Sequence, residues 1–146
     1  MTELSSETIA IVKSTAGAMQ VHGVAITTRM YERLFVDPAV KGMFDQAAQT
    51  SGEQPRRLAG AILAFSQNVD RLSVLAPAIH KMTKRHAECG VQAAHYPIVA
   101  GALLPAIKDV LGDAIDEKTL GAWGEAYWFL ANLLIAEEAQ IYAEAA

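Results

Sequence analysis

Between Ser73 and Gly90 the chain writes one face of a helix in hydrocarbon and ends it in an imidazole. Leu75, Ile79, Met82 and His86 recur at i, i+4, i+7 and i+11, which stacks them along one stripe of an α-helix. Gly90 supplies the usual helix stop. Such a stripe must be buried against something. A histidine at its end offers one nitrogen ligand to a group held in the core.

The same period governs the rest of the chain, and the alternation typical of strands is absent. Ser5 or Ser6 is expected to cap a first helix running to about Gln20, with Ile9, Val12 and Met19 inward. His22-Gly23 is expected to break it, and a second helix carries Val24, Tyr31 and Phe35 on one side. Asp37-Pro38 is a cap followed by a first-turn proline, opening a short helix towards Phe44. A polar loop over 45–52 leads to Glu53-Gln54-Pro55, which opens a helix with Leu58, Ile62, Phe65, Val69 and Leu72 inward. The helix ending at His86 begins near Ser73, with Pro77 in its early turns. His95-Tyr96-Pro97 opens the next, to Leu111-Gly112. Asp116 caps the last and longest, with Leu120, Trp123, Tyr127, Leu130, Leu134 and Ile141 on its stripe. Seven or eight helices and no sheet make an all-α fold, expected as a single domain over 1–146.

The overall balance narrows the function. Twelve basic against 16 acidic residues, with no basic cluster, argues against nucleic acid and against an electrostatic membrane partner. The one cysteine, Cys89, excludes an internal disulfide. The N-terminal run from Thr2 to Glu7 is polar, unlike a signal peptide. The longest apolar runs, 97–107 and 128–136, fall short of the ~18 residues that span a bilayer, so no integral membrane segment is expected. These features predict a soluble, cytoplasmic protein. There is no HExxH, no CxxC, no CxxCH haem attachment, no phosphate-binding glycine loop and no GxSxG elbow.

Polar side chains on inward faces carry the remaining information, because burying them costs free energy unless they are satisfied. His86 is one. Gln54 lies a turn before Leu58, Tyr31 lies between Val24 and Phe35, and either Glu137 or Glu138 must point inward from the last helix. Each also has a plainer reading: a hydrogen-bonded core histidine, a first-turn glutamine facing water, a core tyrosine bonded to a carbonyl, a solvated glutamate. His80 lies off the stripe, His22 precedes a breaker glycine, and His95 sits where capping is natural.

Taken together, the residues resemble the globin family. Pro38 and Phe44 match the proline and haem-packing phenylalanine of the globin CD corner, and His86 matches the proximal ligand. Glu53-Gln54-Pro55 with Leu58, His86-Ala-Glu-Cys-Gly-Val91, and His95-Tyr-Pro-Ile-Val99 look like bacterial single-domain haemoglobins of the Vitreoscilla type, similar to the globin domain of flavohaemoglobins. Ala106 to Asp113 and Ala122 to Tyr127 extend the match over essentially the whole chain.

This resemblance implies a three-on-three helical sandwich around haem b. His86 would ligate the iron. Tyr31 would donate its hydroxyl to the dioxygen ligand, and Gln54 would take the other distal position. Phe44 and Leu58 would pack the haem pocket. Arg57 and Arg85 depart from the family's small or lysine residue; either is a candidate to reach a propionate, with surface exposure the plainer reading. Tyr96 and Glu138 would form a proximal network, the family pattern choosing Glu138 over Glu137. A carboxylate accepting the second N–H of His86 makes the imidazole a stronger electron donor, which favours peroxidase-like chemistry beyond storage. Dioxygen, nitric oxide and carbon monoxide are the implied ligands. The implied functions are reversible dioxygen binding and nitric oxide dioxygenation. As no FAD- or NAD-binding segment follows Ala146, electrons are expected from a separate flavin reductase. The alternative is a haem-free globin-fold regulatory or sensor module, whose signature would be loss of the proximal histidine or a filled pocket; this chain retains His86. Trp128, which stands where a smaller residue is expected, lies outside the main stripe with Phe129, Leu133 and Ile135. That extra apolar face points to a homodimer.

Overall fold

A computed structural model describes residues 4–42, 52–88 and 90–145. Among them the secondary structure is helical, with no strand. The α-helices are α1 (Ser6–Ser14), α2 (Ala16–Leu34), α3 (Pro38–Lys41), α4 (Glu53–Gln67), α5 (Ala76–Glu88), α6 (His95–Leu111) and α7 (Glu117–Ala145). Short 3-10 turns over Leu72–Leu75 and Gly112–Ala114 precede α5 and α7. Phe44 and the expected 45–52 loop fall outside the described stretches, apart from Gly52.

The caps form where the sequence places them. Ser5 Oγ accepts the Thr8 amide at 3.1 Å, Asp37 accepts that of Ala39 at 2.9 Å, and Asp116 accepts that of Thr119 at 2.8 Å. Each satisfies an amide that a helix start leaves without a partner.

The first break is not at His22-Gly23. It falls at Thr15, where α1 and α2 meet at 66°. The Thr15 hydroxyl bonds back to the Val12 carbonyl at 2.7 Å and accepts the Trp123 indole N–H at 2.9 Å, so a side chain from α7 pins the corner. Gly23 instead lies within α2, buried where α4 crosses it. A Cβ there would stand 3.3 Å from that of Ala59. Close approach replaces the lost helix propensity. Val24, seven residues before Tyr31 on the same stripe, is 47% exposed, whereas Tyr31 is buried.

The His86 helix also starts later than the periodicity suggests. Pro77 has no N–H to give to the Ser73 carbonyl, and the Ala76 amide takes that carbonyl in a tighter i→i−3 bond. A 3-10 turn therefore precedes α5.

Helices α1, α4 and α5 lie against α2, α6 and α7, three on three. α2 packs across α4 and α6, while α7 packs on α1, α5 and α6. The main core runs through Val12, Met19, Ile26, Phe65, Ile107 and Trp123; a smaller cluster forms around Tyr96, Ala131 and Leu134. α4 and α5 form no such packing with each other among the described residues. No single described helix is long and apolar enough to cross a membrane; α1 and α2 reach that length only as a bent pair.

Candidate functional site

The last turn of α5 delivers His86 to the N-terminus of α6 and the far half of α7. Its Nδ1 lies 3.1 Å from the Tyr96 hydroxyl, which is 2.5 and 2.7 Å from the two Glu138 carboxylate oxygens. Glu138 Oε1 is itself 3.6 Å from Nδ1. Tyr96 and Glu138 are 6% and 3% exposed, whereas the His86 side chain keeps 32%.

Proton counting fixes the roles. Tyr96 has one hydroxyl proton, and it goes to the carboxylate, so Nδ1 is the protonated nitrogen and donates to the tyrosine oxygen. Nε2 then carries the lone pair. Burial pushes the His86 pKa down, keeping the ring in its neutral, ligating form. Burial and the Glu138 hydrogen bond push Tyr96 far above the ordinary tyrosine range. Burial also raises Glu138, against the pull of the Tyr96 hydrogen bond, with Glu137 nearby raising it further.

The two glutamates separate cleanly. Glu138 enters the core, while Glu137 stays at the surface and accepts the buried Thr83 hydroxyl at 2.8 Å. Thr83 was not singled out in the sequence, nor was the hydroxyl of Tyr127, which donates to the Tyr96 carbonyl at 2.6 Å. Tyr127 reads as an apolar stripe residue. Its signal is that a buried phenol needs an acceptor.

On the other side, α2 and α4 bring Tyr31 and Gln54 together. Tyr31 is 5% exposed, with its ring 5.4 Å from that of Phe35. The Gln54 amide nitrogen lies 3.4 Å from the Tyr31 hydroxyl, so this first-turn glutamine is half-buried and does not simply face water. The register is held by Thr27, fully buried on α2, whose hydroxyl donates to the Pro55 carbonyl at 2.8 Å.

Leu58 and Ile62 of α4, with Leu75, Ile79 and Met82 of the turn and α5, are only partly buried. Half-covered apolar residues thus stand on two helices that do not pack on each other among the described residues. The remaining candidates lie outside this arrangement. Arg57 is ion-paired with Glu53 along its own helix, Arg85 is exposed, and His95 Nδ1 accepts the Gln92 amide at 2.8 Å. His22 and His80 are exposed.

Comparison with known proteins bears on the family and the fold. A family model described as Globin matches residues 28–133. A flavohemoprotein of Xylella fastidiosa is 50% identical over 137 residues, 94% of this chain and 34% of the relative. The chain thus spans about a third of the length of the curated relatives it matches. An engineered carbene transferase, derived from a candidate nitric oxide dioxygenase of Rhodothermus marinus, superposes with a TM-score of 0.90 at 43% identity, covering 97% of this chain and 98% of that one. A flavohemoglobin of Malassezia yamatoensis, solved with FAD and heme, superposes with a TM-score of 0.88 at 32% identity, covering 97% of this chain and 38% of that one.

Proposed function

The chain belongs to the globin family, and from that premise we propose that it carries haem b, binds dioxygen reversibly, and dioxygenates nitric oxide when a flavin reductase supplies electrons. The observation that carries this reading is the one-sided wiring of His86. Its Nδ1 is committed to Tyr96 and Glu138, which leaves Nε2 as an axial donor. Among the described residues no three His, Cys, Asp or Glu side chains converge. A porphyrin would supply the remaining ligands of an iron at His86, and the half-covered apolar residues of α4 and α5 suit such a macrocycle. With no CxxCH in the chain, the haem is held without covalent attachment.

Bound haem supplies the redox-active iron that takes up diatomic gases. The chain supplies the rest. His86 would hold the iron, and Glu138 acting through Tyr96 fixes the imidazole tautomer and raises its basicity. Tyr31, steadied by Gln54, offers a hydroxyl to a ligand that gains negative charge. Leu58, Ile62, Ile79 and Met82, apolar and partly buried, would line the slot that receives the macrocycle.

Purified protein given haem should show a Soret band and, reduced under air, the spectrum of a ferrous dioxygen complex. A His86→Ala variant should fold without that spectrum. Wild type that takes up no haem would sink the reading. For dioxygenation, mixing the dioxygen-loaded protein with nitric oxide must give sustained turnover to nitrate when a flavin reductase is present. A single oxidation that then stops would confine the protein to gas binding.

A further inference from the structure

The proximal corner is also held by a residue outside the polar network. Gly90, with φ of 78°, turns the chain out of α5, and the Val91 amide donates back to the His86 carbonyl at 2.9 Å. The Val91 carbonyl in turn accepts the Tyr142 hydroxyl of α7 at 2.5 Å. Tyr142 lies one turn beyond Glu138 and shares its helix face. α7 therefore grips the His86 corner twice: Glu138 through the imidazole side, Tyr142 through the backbone that follows it. Tyr127 secures the start of α6 from the same helix.

Tyr142, Val91 and Ile135 also line a cleft of about 270 Å³, with Glu138 among its walls. The cleft is large enough for several waters, yet Glu138 is 3% exposed. The Tyr142 ring, tethered to Val91, stands in the wall of the same cleft as the carboxylate, and Tyr142 itself is 36% exposed.

We propose that Tyr142 is a positioning residue for the proximal histidine, its hydroxyl latching the Val91 carbonyl so that His86 keeps its height and orientation against Tyr96 and Glu138. This rests on the reading of His86 as an axial ligand, but the latch itself is independent of any bound group. It acts through backbone, from a side chain that is 36% exposed.

Tyr142→Phe removes the hydroxyl and keeps the ring; Tyr142→Ala removes both. Hydrogen exchange in the haem-free protein tests the latch alone. The Val91 amide should exchange about fivefold faster in Tyr142→Phe, the loss expected for one neutral hydrogen bond. In the haem-loaded ferrous protein the iron–histidine stretching band should move in Tyr142→Phe and move further in Tyr142→Ala, while Tyr31→Phe leaves it in place. Unchanged exchange at Val91, or a lowered melting temperature with the stretching band unmoved, would overturn the proposal and reduce Tyr142 to a staple for the end of α7. A wild type without haem would defeat the functional reading while leaving the exchange result to judge the latch.

Discussion

Glu138 is a carboxylate placed where charge is costly, and its pH behaviour follows. Burial raises its pKa above the ordinary 4.5, so the folded chain holds this proton more tightly than the unfolded one does. The stabilisation is complete below about pH 4.5 and is lost as pH rises through the raised value. In the haem-free protein, Glu138→Gln should therefore flatten the fall in urea midpoint above pH 4.5 relative to wild type. Equal slopes would mean that the carboxylate is solvated. At Tyr31 the effect concerns the gas: losing a hydroxyl donor to a ligand with partial charge costs about 1.5–3 kcal/mol, so Tyr31→Phe should release dioxygen about ten- to a hundredfold faster by laser photolysis or stopped flow. The sequence marked His86, Tyr31, Gln54 and an inward glutamate because each interrupts an apolar stripe. It did not mark Thr83, Tyr127 or Tyr142, whose partners are carbonyls and a surface glutamate brought in by folding, and which leave no interruption to read.

Helices were legible from their period and caps, but their breaks were not. A glycine after a histidine looks like a stop, yet Gly23 is retained inside α2 because Ala59 needs the room. The actual break at Thr15 depends on an indole from α7, over a hundred residues away in sequence. This contrast yields a paired expectation. Gly23→Ala crowds the α2–α4 crossing and should destabilise by about 1–3 kcal/mol. Gly60→Ala, with nothing within 4 Å of its added Cβ, should stabilise by about 0.5–1 kcal/mol through helix propensity. Denaturant melts of the two variants read the difference directly. Changes of the same sign would mean that the crossing is looser than the geometry indicates.

For the molecule as a whole, the distal wall of α2 and α4 is closely packed, whereas α5 rests on α7 and its preceding turn. Removing haem should therefore raise amide exchange in α5 well before α2. Equal protection in both would contradict the slot. The apolar surplus on α7 is smaller on the surface than the sequence implies: Trp128 is 36% exposed, while Phe129, Leu133 and Ile135 are partly buried. If α7 pairs with a second copy, Trp128 is its centre, and Trp128→Glu should convert a sedimenting dimer to monomer. Wild type sedimenting only as monomer at micromolar concentration would rule the pairing out.

The half-covered apolar faces of α4 and α5 have a consequence for the life of the chain. An arch missing its keystone is open to proteases on the side that the wedge would close, and a guest that fits only the finished arch protects it by mass action. Porphyrin supply, as much as the rate of synthesis, should then set how many copies survive. Cells starved of iron would hold less of this protein even with its messenger unchanged.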